Sequence, residues 1–154
     1  MTEIRQKAEF TKETNLQGEF VRQQSIFRQG VTADGSSDFQ AQSDRYHLYI
    51  SLACPWAHRA NIFRKLKKLE NVISLSIVDP IRDNQGWRFT DNPGCIPDFP
   101  NGFKFLEEAY EMTDPSFNGR VTVPVLWDKE KKMIVNNESS DIIRMLDSSS
   151  KCNI

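Results

Sequence analysis

Cysteine is scarce in this sequence: Cys54, Cys95 and Cys152 are its three cysteines, and they stand far apart. An odd number of widely spaced cysteines does not suit the paired framework of a small disulfide-rich secreted domain. Unpaired thiols persist in a reducing compartment, which favours a cytoplasmic protein, although an organelle also fits. The segment Met1–Arg5 lacks the basic and apolar parts of a secretory signal, which favours the same location.

Long apolar runs and an excess of one charge are also missing. No run approaches the roughly 20 apolar residues that a transmembrane helix needs. The chain has 20 basic and 21 acidic residues, and its formal net charge is −1. Because nucleic acids and anionic membranes attract basic surfaces, this balance predicts that neither is a partner.

Histidine is rarer still, and this bears on metal binding. The chain has two histidines, His47 and His58, and no closely spaced cysteine pair. Cys54 and His58 share one face of a predicted helix, so a site that adds Cys95 is a weak alternative. The sequence therefore predicts no metal.

The length of 154 residues predicts one compact domain. Residues 1–45 are polar and irregular, and we interpret them as an extension that packs on the domain. Residues 46–147 form the predicted domain, and residues 148–154 a polar tail. Periodicity predicts a β-α-β, loop-helix, β-β-α order: strands at 46–51, 72–78, 121–127 and 133–135, with helices at 55–69, at 103–112 and after a cap at Asn137. This is an α/β fold with a mixed sheet and flanking helices.

Cys54 is the most informative residue of the sequence. It falls between the first predicted strand and the following helix, where Pro55 suits the first helical position. Unpaired backbone N–H groups and the helix dipole favour an anion at such a position. The position therefore predicts a nucleophilic thiolate, with His58 and Arg59 as nearby cations. An inert buried cysteine is the alternative.

The residues after Cys54 limit its redox chemistry. The segment Cys54-Pro55-Trp56-Ala57 has alanine where a Cys-x-x-Cys motif has its second cysteine. Without that second thiol, an internal disulfide cannot complete a redox cycle, and an external thiol must do so. Glutathione is the abundant candidate, so the motif predicts mixed-disulfide chemistry.

Pro124 interrupts an apolar run, and a proline cannot donate to a strand ladder. Sequence spacing favours a trans proline on an edge strand, because cis bonds are only about 5–6% of X–Pro bonds in folded proteins. A cis Val123–Pro124 bond is the alternative, and it would expose the backbone of Val123. At the start of the last helix, the Ser139 hydroxyl and the backbone N–H groups could hold a ligand carboxylate, and Glu138 could accept from an ammonium group. Simple helix capping is the favoured interpretation of both residues.

Four segments occur in order along the chain: 51–59, 86–87, 121–128 and 137–145. Together with residues 20–28, they resemble the glutathionyl-hydroquinone reductases, the Xi class of glutathione transferases. The resemblance covers 20–146 and implies a thioredoxin-like fold with glutathione as co-substrate. It implies that Cys54 attacks the sulfur of a glutathionyl-hydroquinone, releases the hydroquinone and is regenerated by a second glutathione.

The same resemblance implies a glutathione-binding site. Trp87 would lie against the tripeptide, and Val123, before a cis Pro124, would pair its backbone with the cysteinyl unit. The remaining implied contacts are Glu138 and Ser139 at the γ-glutamyl end and Arg120 at a carboxylate.

Family members continue into an all-helical C-terminal domain that supplies the pocket for the quinone-derived substrate, and this sequence holds nothing that corresponds to it. A truncated or short form that binds glutathione without turnover is therefore the alternative function. Protein deglutathionylation of the glutaredoxin kind is a further alternative. An exposed apolar interface would favour self-association, so a homodimer is also considered.

Overall fold

A four-stranded mixed β-sheet forms the centre of the molecule in the computed structural model, which describes residues 14–21 and 23–148. Its strands are β3 (Tyr46–Ser51), β4 (Ile73–Val78), β5 (Val125–Asp128) and β6 (Met133–Asn136), and two short strands, β1 (Val31–Thr32) and β2 (Phe39–Gln40), precede them. The helices are α1 (Pro55–Leu66), α2 (Glu107–Thr113) and α3 (Ser139–Ser148). Most of the predicted tail, including Cys152, and residues 1–13 of the extension lie outside the described residues.

The strand β3 holds the sheet together. The sheet has the order β4-β3-β5-β6, in which β3 is parallel to β4 and antiparallel to β5. All six residues of β3 are buried, which is typical of a strand covered on both faces. The helix α1 packs against α3 and β3, while α2 packs against β6. The predicted mixed sheet with flanking helices is confirmed.

The helix α1 is shorter than the sequence predicts, because it ends at Leu66 and not at Leu69. Lys68 has a φ of 57°, in the left-handed region. The N–H of Lys68 donates to the carbonyl of Lys65, and the N–H of Leu69 donates to that of Arg64. These two bonds form a Schellman motif, which closes the helix while Leu69 still reaches the core.

Two other predicted elements begin later than expected. The predicted strand at 121–127 starts only at Val125, because the Val123–Pro124 peptide bond is cis. The trans proline that spacing favours is therefore wrong. The predicted helix at 103–112 starts only at Glu107, since Phe105 pairs with the loop at Arg88.

The described part of the extension packs along one edge of the domain. The N–H of Gln29 donates to the carbonyl of Val135, and Arg28 makes two hydrogen bonds to the Asp141 carboxylate. Val31 and Phe39 are buried in the main core. These contacts place the residues before Gln29 beside the start of α3. The domain limits of 46 and 147 stay a prediction.

A neutral histidine lies inside the sheet and links stability to pH. The His47 ring bonds Ser74 Oγ at 2.6 Å and Ser76 Oγ at 2.9 Å, and burial lowers the pKa of His47 to about 3. Between about pH 6.5 and pH 3 the unfolded chain binds the proton and the folded chain does not. Stability is therefore lost as the pH falls through this window, and we expect a loss of about 2 kcal/mol between pH 7 and pH 5.

Urea unfolding at both pH values measures this effect, and His47→Gln is the matched control because glutamine does not titrate. The variant should lose less stability than the parent over the same interval. If both proteins show equal pH dependence, His47 is not the group responsible.

Candidate active site at the start of helix α1

The thiol of Cys54 lies at the N-terminal end of α1. Cys54 is the residue that precedes the helix: its φ and ψ of −106° and 116° are extended, and its carbonyl accepts from the His58 N–H at 3.0 Å. Pro55 occupies the first helical position, as predicted. The thiol therefore stands where the first N–H groups of the helix have no intrahelical partner. That surrounding favours a negative charge on sulfur.

The cis Val123–Pro124 bond lies directly beside this thiol. Cys54 Sγ is 3.7 Å from the carbonyl oxygen of Val123, to which it donates. Val123 itself is outside β5, so its backbone is not part of the strand ladder. The chain turn at Pro124 thus brings the thiol and a main-chain edge together on one side of the sheet.

Cys54 opens into a cavity of about 170 Å³. Of the residues implied by sequence, Cys54, Trp87, Arg120, Val123, Pro124 and Ser139 line it. Glu138 does not line it, although it adjoins Ser139. Sequence reasoning missed the other lining residues: Phe20, Gln23, Ser25, Trp56, Arg82, Thr122 and Asn137.

A cation that carries no sequence signal lines the same cavity as the thiol. Arg82 lies 5.4 Å from the ring centre of Trp87, and both line the cavity. Burial lowers the pKa of Arg82, and the neighbouring Cys54 opposes that shift. Arg82 comes from the irregular loop after β4, where no spacing rule predicts its direction. Arg120, which also lines the cavity, is partly desolvated, and burial lowers its pKa.

The start of α3 contributes Ser139 to the cavity lining. Ser139 Oγ accepts from Arg59 Nε at 2.9 Å and from Arg59 Nη2 at 2.6 Å, so its own proton is available to a ligand. Arg59, which the sequence suggests as a cation near the thiol, therefore donates to Ser139. His58, the other suggested cation, is exposed.

Glu138, and not Asn137 as predicted, caps α3. Its carbonyl accepts from the Ile142 N–H, and its carboxylate accepts from the N–H and hydroxyl of Ser140 and the hydroxyl of Ser25. Its carboxylate is also 3.8 Å from Arg59. These contacts hold the carboxylate between the start of α3 and Ser25, which itself lines the cavity.

The structure offers no alternative metal centre in the parts it describes. Within residues 14–21 and 23–148, no group of three or more His, Cys, Asp or Glu side chains could hold an ion. Cys54, Cys95 and His58 do not form one. In the same ranges, no helix is long and apolar enough to span a membrane.

A comparison with known protein families identifies the family of this domain. The family described as glutathione S-transferase, N-terminal domain, matches residues 53–149. The chain belongs to this family. Its sheet and helices are accordingly the thioredoxin-like fold of a glutathione S-transferase N-terminal domain, as the resemblance implies.

Two curated relatives of this glutathione S-transferase domain carry the name to which the sequence motifs point. The glutathionyl-hydroquinone reductase YqjG of Escherichia coli is 52% identical over 142 residues, which are 88% of this chain and 43% of the relative. The glutathionyl-hydroquinone reductase PcpF of Sphingobium chlorophenolicum is 48% identical over 131 residues, which are 85% of this chain and 41% of the relative. The resemblance to these reductases is confirmed, and the chain spans less than half of their length.

Solved structures give the same result. The Xi glutathione S-transferase of Phanerochaete chrysosporium superposes with a TM-score of 0.83 at 42% identity, over 88% of this chain and 46% of that one. The glutathione-bound structure of YqjG from Escherichia coli superposes with a TM-score of 0.78 at 51% identity, over 81% of this chain and 43% of that one.

Proposed function

We propose that this chain supplies the glutathione-binding half of a thiol transferase that reduces glutathionyl-hydroquinones, with Cys54 as the nucleophile. The observation that carries the proposal is the Cys54 thiol at the start of α1, 3.7 Å from the Val123 carbonyl and open to a cavity. The names of two relatives, both glutathionyl-hydroquinone reductases, support the substrate class.

The proposed reaction has two steps. The Cys54 thiolate attacks the sulfur of the glutathionyl-hydroquinone, so an S–S bond forms and the bond from sulfur to the ring carbon breaks. The electron pair of that bond stays on the ring carbon, which takes a proton and leaves as hydroquinone. A second glutathione thiolate then attacks the mixed disulfide, releases Cys54 as thiolate and leaves as glutathione disulfide.

The cavity suits a tripeptide with two carboxylates. The desolvated guanidinium groups of Arg82 and Arg120 favour an anion beside them. Ser139 can donate its proton to the carboxylate of the γ-glutamyl end, where the start of α3 adds backbone N–H groups. The Trp87 indole Nε1 is buried without an acceptor among the described residues, so a ligand carbonyl is a suitable partner.

The remaining implied roles belong to the same proposal. The backbone of Val123, turned by the cis bond to Pro124, pairs with the cysteinyl unit of glutathione. Glu138 contributes to the γ-glutamyl end of the site, where its carboxylate, which also contacts Ser25 and Ser140, accepts from the ammonium group of the ligand. A homodimer and a cytoplasmic location also stay proposals, the latter motivated by the widely spaced cysteines.

A second candidate function is a glutathione-binding module without turnover. It is favoured by one observation, namely that the chain spans about 43% of the length of the relative YqjG. Steady turnover of S-glutathionyl-menadiol with release of glutathione disulfide would exclude it. Glutathione binding without turnover would support it.

Glutathione disulfide tests the nucleophile directly. We expect the purified chain to gain one glutathione, mapped to Cys54 by peptide mass and removed by free glutathione. Cys95 and Cys152 are internal controls, and they should stay unlabelled at the same time point. Equal labelling of all three cysteines would contradict the proposal, because it would show that the surroundings of Cys54 do not activate it.

A further inference from the structure

Asp79 is a buried acid directly after β4 that the proposed reaction does not use. It is only 5% exposed. Its Oδ1 accepts from the Ile81 N–H at 2.9 Å, and its Oδ2 accepts from the Thr90 hydroxyl at 3.0 Å and from the Asn92 amide at 2.8 Å. The hydrogen bonds from Ile81 and Asn92 lower the pKa of Asp79, so the group is a charged acceptor at neutral pH. One carboxylate therefore holds both ends of the segment 81–92.

The segment 81–92 carries two side chains of the cavity wall. Arg82 and Trp87 both line the cavity of Cys54. The Arg82 guanidinium lies 5.4 Å from the centre of the Trp87 ring, within the range of a cation–π contact. Arg82 directly follows Ile81, whose N–H is held by Asp79. The carboxylate is thus separated from the guanidinium by one residue of fixed backbone.

The two side chains differ in how their backbone is attached. Trp87 has an anchor of its own, because its carbonyl accepts from the Leu106 N–H at 2.9 Å. Ile81, by contrast, is 74% exposed, so burial of its side chain does little to hold the chain beside Arg82. The hydrogen bond from Ile81 to Asp79 is the contact that fixes the chain there. Loss of the carboxylate should therefore affect Arg82 more than Trp87.

We propose that Asp79 is a positioning residue of the candidate site, which holds Arg82 against Trp87 at the cavity wall so that the guanidinium meets an anionic group of the ligand. The inference rests on the proposed function, because that ligand is glutathione. Arg82 is partly desolvated at this place, and a desolvated cation interacts more strongly with an anion than an exposed one does. Without Asp79 the ligand has to order a mobile arginine when it binds, which weakens binding.

A double-mutant cycle tests the inference, with calorimetric titration of the full chain by glutathione as the measurement. Arg82→Leu removes the guanidinium and should weaken binding at least about tenfold, as for the loss of a hydrogen bond to a charged group. Asp79→Ala keeps the guanidinium but releases it, and should weaken binding about fivefold, the cost of ordering one long side chain. The double variant should bind no more weakly than Arg82→Leu alone, because it has no guanidinium left to position. A purely structural role of Asp79 would instead weaken binding in both backgrounds.

Asp98→Ala is the matched control. Asp98 is also 5% exposed, and its carboxylate accepts from the Tyr49 hydroxyl at 2.8 Å and from the Phe103 N–H at 2.9 Å. Residues 98–103, all of which the structure describes, are not part of the cavity lining. This variant should lose stability, because a buried acceptor is removed from its donors, and should keep the glutathione affinity of the parent.

A second variant keeps Asp79 and removes its partners. Thr90→Val combined with Asn92→Ala removes both donors to Oδ2, and Asn92 is exposed. Circular dichroism shows whether each variant folds, and this variant carries the test if Asp79→Ala does not. It should weaken glutathione binding when Arg82 is present and should have no effect in the Arg82→Leu background.

The outcomes separate the two proposals. If the parent chain does not bind glutathione, the proposed function fails and this inference fails with it. If the parent binds, the role of Asp79 alone is overturned by any of three results. These are parent affinity in Asp79→Ala or Arg82→Leu, an undiminished effect of Asp79→Ala in the Arg82→Leu background, and an equal loss of affinity in Asp98→Ala.

Discussion

Replacing Cys54 with serine is expected to abolish the mixed disulfide and to lower turnover of glutathionyl-hydroquinones by more than roughly 1,000-fold, as for the loss of other nucleophiles. A serine hydroxyl at this position can neither form a disulfide nor act as a good nucleophile without a general base. The Cys54 thiol donates to the Val123 carbonyl, and a serine hydroxyl can donate in the same direction, so we expect serine to fit with little change in folding. Rates with S-glutathionyl-menadiol measure the effect.

The matched control is Cys95→Ser. Cys95 is also a partly buried free thiol, and it lies in the long loop outside the cavity lining. This variant should keep the parent rate and the single adduct on Cys54. Equal losses in the two variants would contradict the assignment of the nucleophile, as would full activity of Cys54→Ser.

Replacing Asp128 with alanine is expected to lower the free energy of unfolding by roughly 3 kcal/mol, because it leaves a buried arginine without its main partner. Asp128 Oδ2 accepts from Arg45 Nε at 3.0 Å and from Arg45 Nη2 at 2.6 Å. Its Oδ1 accepts from the N–H groups of Glu130 and Lys131 in the turn before β6. Asp128 is fully buried and Arg45 is only 8% exposed. Urea unfolding measures the change.

Asp44→Asn is the control for charge alone. Asp44 is 79% exposed and pairs with Lys129 at 2.7 Å, and asparagine tolerates its positive φ of 60°. Because exposed ion pairs contribute little, this variant should unfold at nearly the parent urea concentration. A cost at Asp44 as large as that at Asp128 would show that burial does not determine the effect.

The sequence predicts the order of the elements because their apolar periods are clear. The strand at 46–51 is observed as Tyr46–Ser51, and Cys54 stands before α1 as predicted. Helix ends are less predictable, because the left-handed conformation of Lys68 carries none of the usual glycine signal. The cis bond at Pro124 is likewise a product of tertiary contacts, and the spacing of residues favours the wrong isomer.

The residues of the candidate site likewise include some that the sequence predicts and some that it does not. The residues given by the resemblance converge on one cavity, with Glu138 as the exception. Arg82 and Asn137 could not be predicted, because a loop direction and an amide orientation are fixed by distant partners. For Asn137 the partner is Tyr110, which is 27 positions away in the sequence. Hydrogen-bond accounting in three dimensions is needed to find such residues.

The central sheet extends beyond the segment that the family match covers. The family match begins at residue 53, two positions after the end of β3. A fragment cut at that boundary would lose the one strand that pairs with both β4 and β5, and so would split the sheet into two parts. It would also lose Phe20, Gln23 and Ser25 from the cavity wall. Expression vectors for homologous domains should therefore begin upstream of the extension, so that cooperative folding and the complete pocket are retained.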